Sequence, residues 1–265
     1  MRIKVLSFQE ELFEAKLIQR ERRFFIEFAD EKTSLEQLAA GRYESGFAHT
    51  NNTGSMLGLI RKGRSILLSH ARNPARKLAY TLEAINLNKE NEKPLWLGVN
   101  TSVPNRFLQK LFELNPSYDY ALLPFARGFR QIRMEVKNGE SRLDACLFSE
   151  NQTEKLWIEC KNVSMAEYDA AAFPDAVSER GRKHLDTLMR LKAQGDRALM
   201  FYVVQRTDAS CFMPADFIDG AYAEKLQKAY ACGVEVYAVA ADVQKDGIYF
   251  GGYLKLAPCY FKGNI

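Results

Sequence analysis

The sequence lacks any hydrophobic run long enough to cross a membrane. A transmembrane helix needs about 20 consecutive apolar residues, whereas one of the longest runs here, Ala198 to Val204, has seven. The N-terminal stretch also has Glu10 and Glu11 directly after a short apolar segment, which is unlike a secretory signal. We therefore expect a cytoplasmic protein with no membrane partner.

Paired cysteines are also missing. The five cysteines are an odd number, are scattered along the chain and form no CxxC pair, so neither a disulfide framework nor a zinc site is expected. Apolar residues make up 47% of the 265 residues and charged residues 26%, which excludes a disordered or low-complexity chain. This length suits one large domain or two smaller ones.

Acidic residues are absent between Glu44 and Glu83, although the whole chain carries a net charge of only +4. A stretch of one sign in a balanced chain is typical of a surface that binds a polyanion. A solvated basic loop has the same pattern, and charge alone does not separate the two interpretations. The candidate phosphate-binding residues in this stretch are Arg61, Lys62, Arg64, Arg72, Arg76 and Lys77.

Short strand-like segments separated by glycines fill residues 1–80. Phe24 to Phe28 and Ser65 to Ser69 have strand length, and five glycines recur between residues 41 and 63. Glycine permits the tight bends that close a small barrel. The pattern predicts an N-terminal OB-like β-barrel over residues 1–80, a barrel type that suits nucleic acid.

Residues 81–265 predict an α/β domain. Asn138-Gly139 lies between two strand-like segments, which is typical of a β-hairpin. A strand at Leu156 to Lys161, a helix that ends near Gly195 and a strand at Arg197 to Gln205 follow, and a second helix and strand come after them. This order predicts a mixed sheet flanked by helices.

Charged residues inside two of these strands are the strongest candidates for catalysis. Asp144 lies in the strand after the hairpin turn, and Glu159 and Lys161 lie in the next strand. Side chains alternate between the faces of a strand, so Glu159 and Lys161 point to the same side. Asp144 shares that side if the strands are neighbours. Charged groups within apolar strands are costly unless they are paired or bind a metal.

Two carboxylates and an ammonium group suit metal-assisted hydrolysis of a phosphodiester. Asp144 and Glu159 would hold Mg²⁺ or Mn²⁺, while Lys161 would orient the attacking water or balance developing charge. Further candidate ligands are the carbonyl of Cys160 and a third acid, Glu135 or Glu113. An ion-paired cluster at a sheet edge has the same residues, so the short pattern leaves both interpretations open.

A basic face follows on the next predicted helix. Arg180, Lys183 and His184 have the i, i+3 and i+4 spacing of one helix face. They are candidates for contact with a DNA phosphate beside the metal. A solvated basic helix face is the alternative interpretation.

Several residue strings resemble the sugar fermentation stimulation protein A (SfsA) family. In the second half these are Ser141 to Asp144, Ile158 to Val163 and the long string from Phe173 to Leu185. In the first half they are Asn52 to Met56, Asn73 to Lys77 and Gly98 to Thr101. The family usually has valine at the position of Cys160 and serine at that of Asn162, and neither difference touches the charged trio.

The resemblance implies an N-terminal OB-like barrel and a C-terminal domain of the PD-(D/E)xK nuclease fold. It also implies non-specific DNA binding and a link to the regulation of sugar (maltose) use. Its metal-binding acids correspond to Asp144 and Glu159, and its lysine corresponds to Lys161.

The sequence therefore predicts a protein that binds double-stranded DNA without sequence preference and carries a Mg²⁺-dependent endodeoxyribonuclease site. The alternative is a non-catalytic, regulatory DNA-binding module that keeps a nuclease fold. A phosphodiesterase that acts on RNA or on small nucleotides is a third interpretation.

Overall fold

A computed structural model of the chain describes residues 2–56, 58–71, 73, 75–88, 92–139 and 141–261. Arg72, one of the candidate phosphate-binding residues, lies outside these ranges. The chain divides into two compact units. The first comprises Met1–Ser102, Gln205–Asp208 and Ala241–Phe250, and the second comprises Val103–Val204, Ala209–Ala240 and Gly251–Ile265. Within the described ranges, no helix has the length and apolar character needed to span a membrane.

The first unit consists mainly of short strands. Its elements are β1 (Ile3–Ser7), β2 (Phe13–Glu21), β3 (Phe25–Asp30), α1 (Leu35–Ala39), β4 (Ser45–His49), β5 (Ser65–His70), β6 (Tyr80–Asn86) and β7 (Trp96–Gly98).

Five of these strands close into a barrel. β2 pairs antiparallel with both β3 and β5, β3 pairs with β4, and β5 pairs with β6. A parallel pairing of β4 with β6, at Ala48 and Tyr80, completes the ring. Alternate residues such as Leu17, Ile26 and Ile66 fill the interior and are fully buried. A closed ring of five short strands is an OB-like barrel, as the sequence predicts.

The first unit continues past residue 80, where the sequence analysis places its boundary. β6 is needed to close the barrel, and β7 pairs with β6. Two hydrogen bonds also join the loop after β4 to the loop after β7. Asn51 Nδ2 donates to Asn100 Oδ1 at 2.7 Å, and Asn52 Nδ2 donates to the Val99 carbonyl at 3.2 Å. The compact unit therefore reaches Ser102.

The second unit contains longer helices and a mixed sheet. Its elements are α2 (Val103–Leu114), β8 (Phe129–Asn138), β9 (Ser141–Ser149), β10 (Lys155–Val163), β11 (Met165–Glu167), β12 (Ala170–Phe173), α3 (Glu179–Ala193), β13 (Arg197–Val204), β14 (Cys211–Pro214), α4 (Gly220–Ala231), β15 (Glu235–Gln244), β16 (Gly247–Tyr253) and β17 (Lys255–Leu256). The unit boundary falls within β15 and β16.

The main sheet of this unit contains the strands β16-β15-β13-β10-β9-β8 in that order. β8, β9 and β10 pair antiparallel, whereas β10, β13 and β15 pair in parallel. The apolar face of α3, with Leu185 and Leu188, shares a buried core with Tyr202 of β13 and with Tyr222 and Leu226 of α4. A mixed sheet covered by helices confirms the predicted α/β architecture.

A buried carboxylate joins the starts of α3 and α4. Asp219 accepts hydrogen bonds from the backbone N–H of Ser178 at 2.8 Å and of Tyr222 at 3.0 Å, and Arg182 Nη1 donates to both of its oxygens. Burial alone would raise the pKa of Asp219, but these donors outweigh it and the pKa lies below its usual range. This carboxylate therefore caps the start of α4 and also holds Ser178, the residue that caps α3.

We expect Asp219→Asn to destabilise the second unit by about 2–3 kcal/mol, because Arg182 loses its partner in a largely buried position. In the wild type this contribution is complete above the usual carboxyl pKa of about 4 and is lost as the pH falls through the lowered pKa of the folded state. Chemical denaturation as a function of pH measures both effects.

Asp186→Asn is the matched control, because Asp186 lies on α3, as Arg182 does, and pairs with Lys225 at an exposed position. It should change stability by less than about 0.5 kcal/mol. Equal effects of the two substitutions would contradict the role assigned to Asp219.

Candidate functional site

The strands β9 and β10 bring the predicted trio together. Lys161 Nζ donates to Glu159 Oε1 at 2.5 Å. The pKa of Asp144 is raised, first by burial and then by the negative charge of Glu159, whereas Lys161 acts in the opposite direction. Each member of the trio therefore lies within electrostatic reach of the other two, on the second unit alone.

The backbone pairing of β9 with β10 stops at the site. It runs from Lys155 opposite Phe148 to Ile158 opposite Ala145. At the next residues the Cys160 N–H donates instead to Asp144 Oδ2, at 2.8 Å. The Asp144 side chain thus replaces a backbone acceptor, which holds the carboxylate in a defined orientation at the point where the two strands separate.

Glu159 is the most buried charged group of the site, with 2% of its surface exposed. Its Oε1 is in short contact with His184 Nδ1, in addition to the bond from Lys161. Burial alone would raise the pKa of Glu159, but the hydrogen bond from His184 and the charge of Lys161 outweigh burial and lower it. Glu159 is therefore held as a carboxylate.

His184 has a defined tautomer in this arrangement. Arg180 Nε approaches His184 Nε2 at 3.4 Å, and a guanidinium group only donates, so Nε2 is the acceptor and Nδ1 carries the proton. Nδ1 and Lys161 Nζ lie 3.2 Å apart because both donate to the same oxygen of Glu159. His184 is consequently buried against the carboxylate, although its spacing in the sequence made it a candidate for contact with a DNA phosphate.

Asn105 is a site residue that sequence reasoning missed. Its Nδ2 donates to Asp144 Oδ1 at 2.9 Å and to Glu135 Oε1 at 3.2 Å, so one amide of α2 joins two carboxylates. Glu135 has a φ of +56°, which is rare for a residue other than glycine.

Glu113, the other candidate third acid, pairs with Lys110 on the exposed side of α2. Asparagine is common near the start of a helix because it can cap the helix. The sequence therefore does not indicate that Asn105 contacts two carboxylates.

The donor set of the site fits a hard divalent cation. Glu159 Oε2 is buried and has no hydrogen-bond partner among the described residues, and Asp144 is a second carboxylate close enough to be repelled by it. No cluster of three or more His, Cys, Asp or Glu side chains is preassembled for a metal in the described part of the chain. Mg²⁺ nevertheless needs only one or two carboxylates, since it keeps several waters.

The candidate phosphate-binding residues of the barrel differ in their surroundings. Arg61, Lys62, Arg76 and Lys77 are exposed. Arg64 is half-buried, and its Nη1 donates to the carbonyls of Gly58 and Leu59 at 3.1 Å. Burial and then the charge of Arg61 lower the pKa of Arg64. Arg64 therefore stabilises its own loop, which is a local role that the charge pattern did not reveal.

On α3, Arg180 and Lys183 are exposed within the first two turns, whereas His184 is buried. The close approach of Arg180 to His184 links this cationic helix end to Glu159.

Two family models match most of the chain. Residues 18–92 match the SfsA N-terminal OB domain, and residues 102–247 match the sugar fermentation stimulation protein RE domain. A sugar fermentation stimulation protein homolog of Maridesulfovibrio salexigens is 53% identical over 213 residues, which cover 80% of this chain and 84% of that protein. A homolog of Syntrophobacter fumaroxidans is 45% identical and covers 95% of this chain and 87% of its own length.

A solved structure has the same fold. The structure of Pyrococcus furiosus SfsA in complex with Ca²⁺ superposes with a TM-score of 0.80 at 24% identity, and the match covers 96% of this chain and 99% of that chain.

We expect His184→Ala to weaken Mn²⁺ binding by about 10-fold or more, because removal of a group that orients a metal ligand typically costs that much affinity. His184→Asn should recover most of the loss, since its Nδ2 occupies nearly the place of the imidazole Nδ1. Electron paramagnetic resonance of free Mn²⁺ during titration measures the affinity without any reaction. Equal affinities of wild type and His184→Ala would contradict the orienting role.

Proposed function

The chain belongs to the sugar fermentation stimulation protein family, and we propose that it is a cytoplasmic, DNA-binding phosphodiesterase. Its partner is double-stranded DNA, which it binds without sequence preference and cleaves internally with a bound Mg²⁺ or Mn²⁺ ion. The observation that carries the proposal is the buried Glu159 carboxylate, one oxygen of which has two donors while the other has no partner among the described residues.

Asp144 and Glu159 would hold the ion, with the Cys160 carbonyl as a further ligand and Glu135 joined to the group through Asn105. When bound, the ion supplies charge neutralisation at the phosphate and makes a coordinated water more acidic. The Ca²⁺ complex of the archaeal neighbour supports this proposal, because Ca²⁺ is also a hard cation that prefers oxygen ligands.

Lys161 has the second role in the proposed reaction. Its ammonium group is fixed by Glu159 Oε1 and lies at the side of the carboxylate that His184 also occupies. From there it orients the attacking water and balances the negative charge that develops on the phosphate. Arg180 and Lys183 add positive charge at the start of α3, the helix that also carries His184.

We expect wild-type protein to nick supercoiled plasmid in Mg²⁺ or Mn²⁺ and to leave it intact in EDTA. Lys161→Ala should reduce the nicking rate by about 100-fold or more, because charge stabilisation of a transition state by one group is typically that large. A gel read for both nicking and mobility shift measures cleavage and binding in the same lanes.

Lys155→Ala is the matched control, because Lys155 lies six residues earlier on β10 with its side chain on the same face of the strand. It should nick at the wild-type rate. A mobility shift in every lane without nicking by the wild type would contradict the catalytic part of the proposal and favour a non-catalytic DNA-binding module.

The affinity for a blunt duplex should fall steeply with salt, because phosphate contacts release counterions. We expect Arg61→Ala combined with Lys62→Ala to reduce the slope of log affinity against log salt by about 2, which corresponds to two lost contacts. Fluorescence anisotropy in EDTA measures the slope. Lys225→Ala, which removes a cation paired with Asp186, should leave it unchanged, and a slope that is the same in all three proteins would contradict the contacts assigned to the barrel.

A further inference from the structure

Aromatic side chains are exposed on the outside of the barrel, in the turn before β3 and on β4. Phe24 is 42% exposed and Phe47 is 41% exposed. In the register of the two strands, Phe25 lies opposite His49 and Glu27 lies opposite Phe47. The residues between them, Ile26 and Ala48, are fully buried, so Phe25, Phe47 and His49 face outward. Phe24, in the turn before β3, is exposed by its position in that turn.

Phe24 and His49 form a stacked pair. Their ring centroids are 6.2 Å apart and the planes differ by 13°. Burial, and after it the charge of Arg76, lowers the pKa of His49, so the imidazole is neutral at pH 7. Beside this pair a pocket of about 300 Å³ is lined by Phe25, His49, Arg76, Lys77 and Leu78. A flat neutral ring next to a small pocket suits an uncharged, planar ligand group.

Cations border this aromatic surface on two sides. Arg76 is held in place because its guanidinium donates to the carbonyls of Leu78 and Tyr80 and to Thr81 Oγ1, and Lys77 beside it is exposed. On the other side, Arg22 and Arg23 occupy the turn between β2 and β3, directly before Phe24.

The turn before Phe24 is conformationally strained. Arg22 has a φ of +45° and Arg23 a φ of +64°, and two successive positive φ values are the geometry that asparagine and glycine favour in a hairpin. Arginine gains nothing from this conformation, and strain of this kind is concentrated at sites that bind ligands. The turn therefore holds two arginines where asparagine and glycine would adopt the same backbone conformation with less strain.

The position in the barrel agrees with this chemistry. β3 and β4 are the second and third strands of the ring, Arg22 and Arg23 lie in the loop between its first two strands, and Arg76 and Lys77 lie in the loop between its last two. Barrels of this type bind oligonucleotides on that face and with those two loops. Aromatic rings in such a groove stack on bases of any sequence, whereas paired bases in a duplex are already stacked on each other.

We propose that the surface formed by Phe24, Phe25, Phe47 and His49 binds unpaired nucleotides of DNA by stacking, with Arg76 and Lys77 on the adjoining phosphates. This rests on the proposed DNA binding and narrows its substrate class to duplexes that carry a single-stranded stretch. Such DNA would use the barrel surface for its unpaired bases and the exposed cations for its backbone.

The test compares a blunt duplex with the same duplex extended by a single-stranded oligo(dT) overhang, by fluorescence anisotropy in EDTA. Wild type should bind the overhang duplex about 10-fold more tightly. Phe24→Ala should lose most of that preference while its affinity for the blunt duplex stays within about 2-fold, because stacking contributes nothing to the blunt complex.

Two further variants control for surface hydrophobicity and for the charge of the added phosphates. Phe24→Trp keeps a stacking ring and should keep the preference. Phe217→Ala removes a phenylalanine of the second unit that is also about half exposed, and it should leave the preference unchanged. All proteins have the same net charge, so the extra phosphates of the overhang affect them equally.

The outcomes separate this inference from the proposed function. A wild type that binds the blunt duplex without preference for the overhang, or a Phe24→Ala variant with an undiminished preference, would overturn the stacking surface and leave DNA binding intact. Failure of the wild type to bind either DNA in low salt would contradict both.

Discussion

The burial of the Glu159 carboxylate is the constraint on which the arrangement of the second unit depends. An ionised carboxylate inside a sheet is expensive unless cations and donors surround it. Lys161 and His184 supply these at Oε1, whereas Oε2 is buried without a partner in the described structure. Burial and then the charge of Glu159 raise the pKa of Asp144, so a positive group where the two carboxylates meet would be favoured. A divalent cation, as proposed, would supply that charge and would also accept the buried Oε2 of Glu159 as a ligand.

Helix positions in the second unit follow from this constraint. His184 reaches Glu159 only if α3 begins where it does, and the hydrogen bonds of Asp219 to Ser178 and Arg182 fix that beginning. Asp144 is oriented from two directions, by the backbone of Cys160 and by the amide of Asn105. The long string from Phe173 to Leu185 that resembles the family contains His184, which contacts Glu159, and Ser178 and Arg182, which hold the start of α3. Arg180 and Lys183 are its exposed cations.

Features encoded by local patterns were predictable from the sequence, and those that depend on distant contacts were not. Strand alternation and the Asn138-Gly139 turn predicted the sheet and the side of it that holds the trio. The extent of the barrel depends on the pairing of Ala48 with Tyr80, which no local pattern encodes. The contacts of Arg64 and His184 within the protein could not be predicted, because a basic residue that donates to neighbouring carbonyls or to a buried carboxylate has the same spacing as one that faces solvent. Asn105 contacts a residue 39 positions away and had no signal at all.

The two units have complementary electrostatic tasks if the chain cleaves DNA. A site with two carboxylates repels a polyanion, so attraction has to come from other parts of the protein. The first unit supplies it through a stretch without acidic residues, and Glu83, which ends that stretch, is buried and accepts hydrogen bonds from Ser69 and Asn100. Its charge is thereby removed from the surface that carries Arg76 and Lys77. Binding would then require no metal, whereas cleavage would require the ion that lets a phosphate approach Asp144 and Glu159.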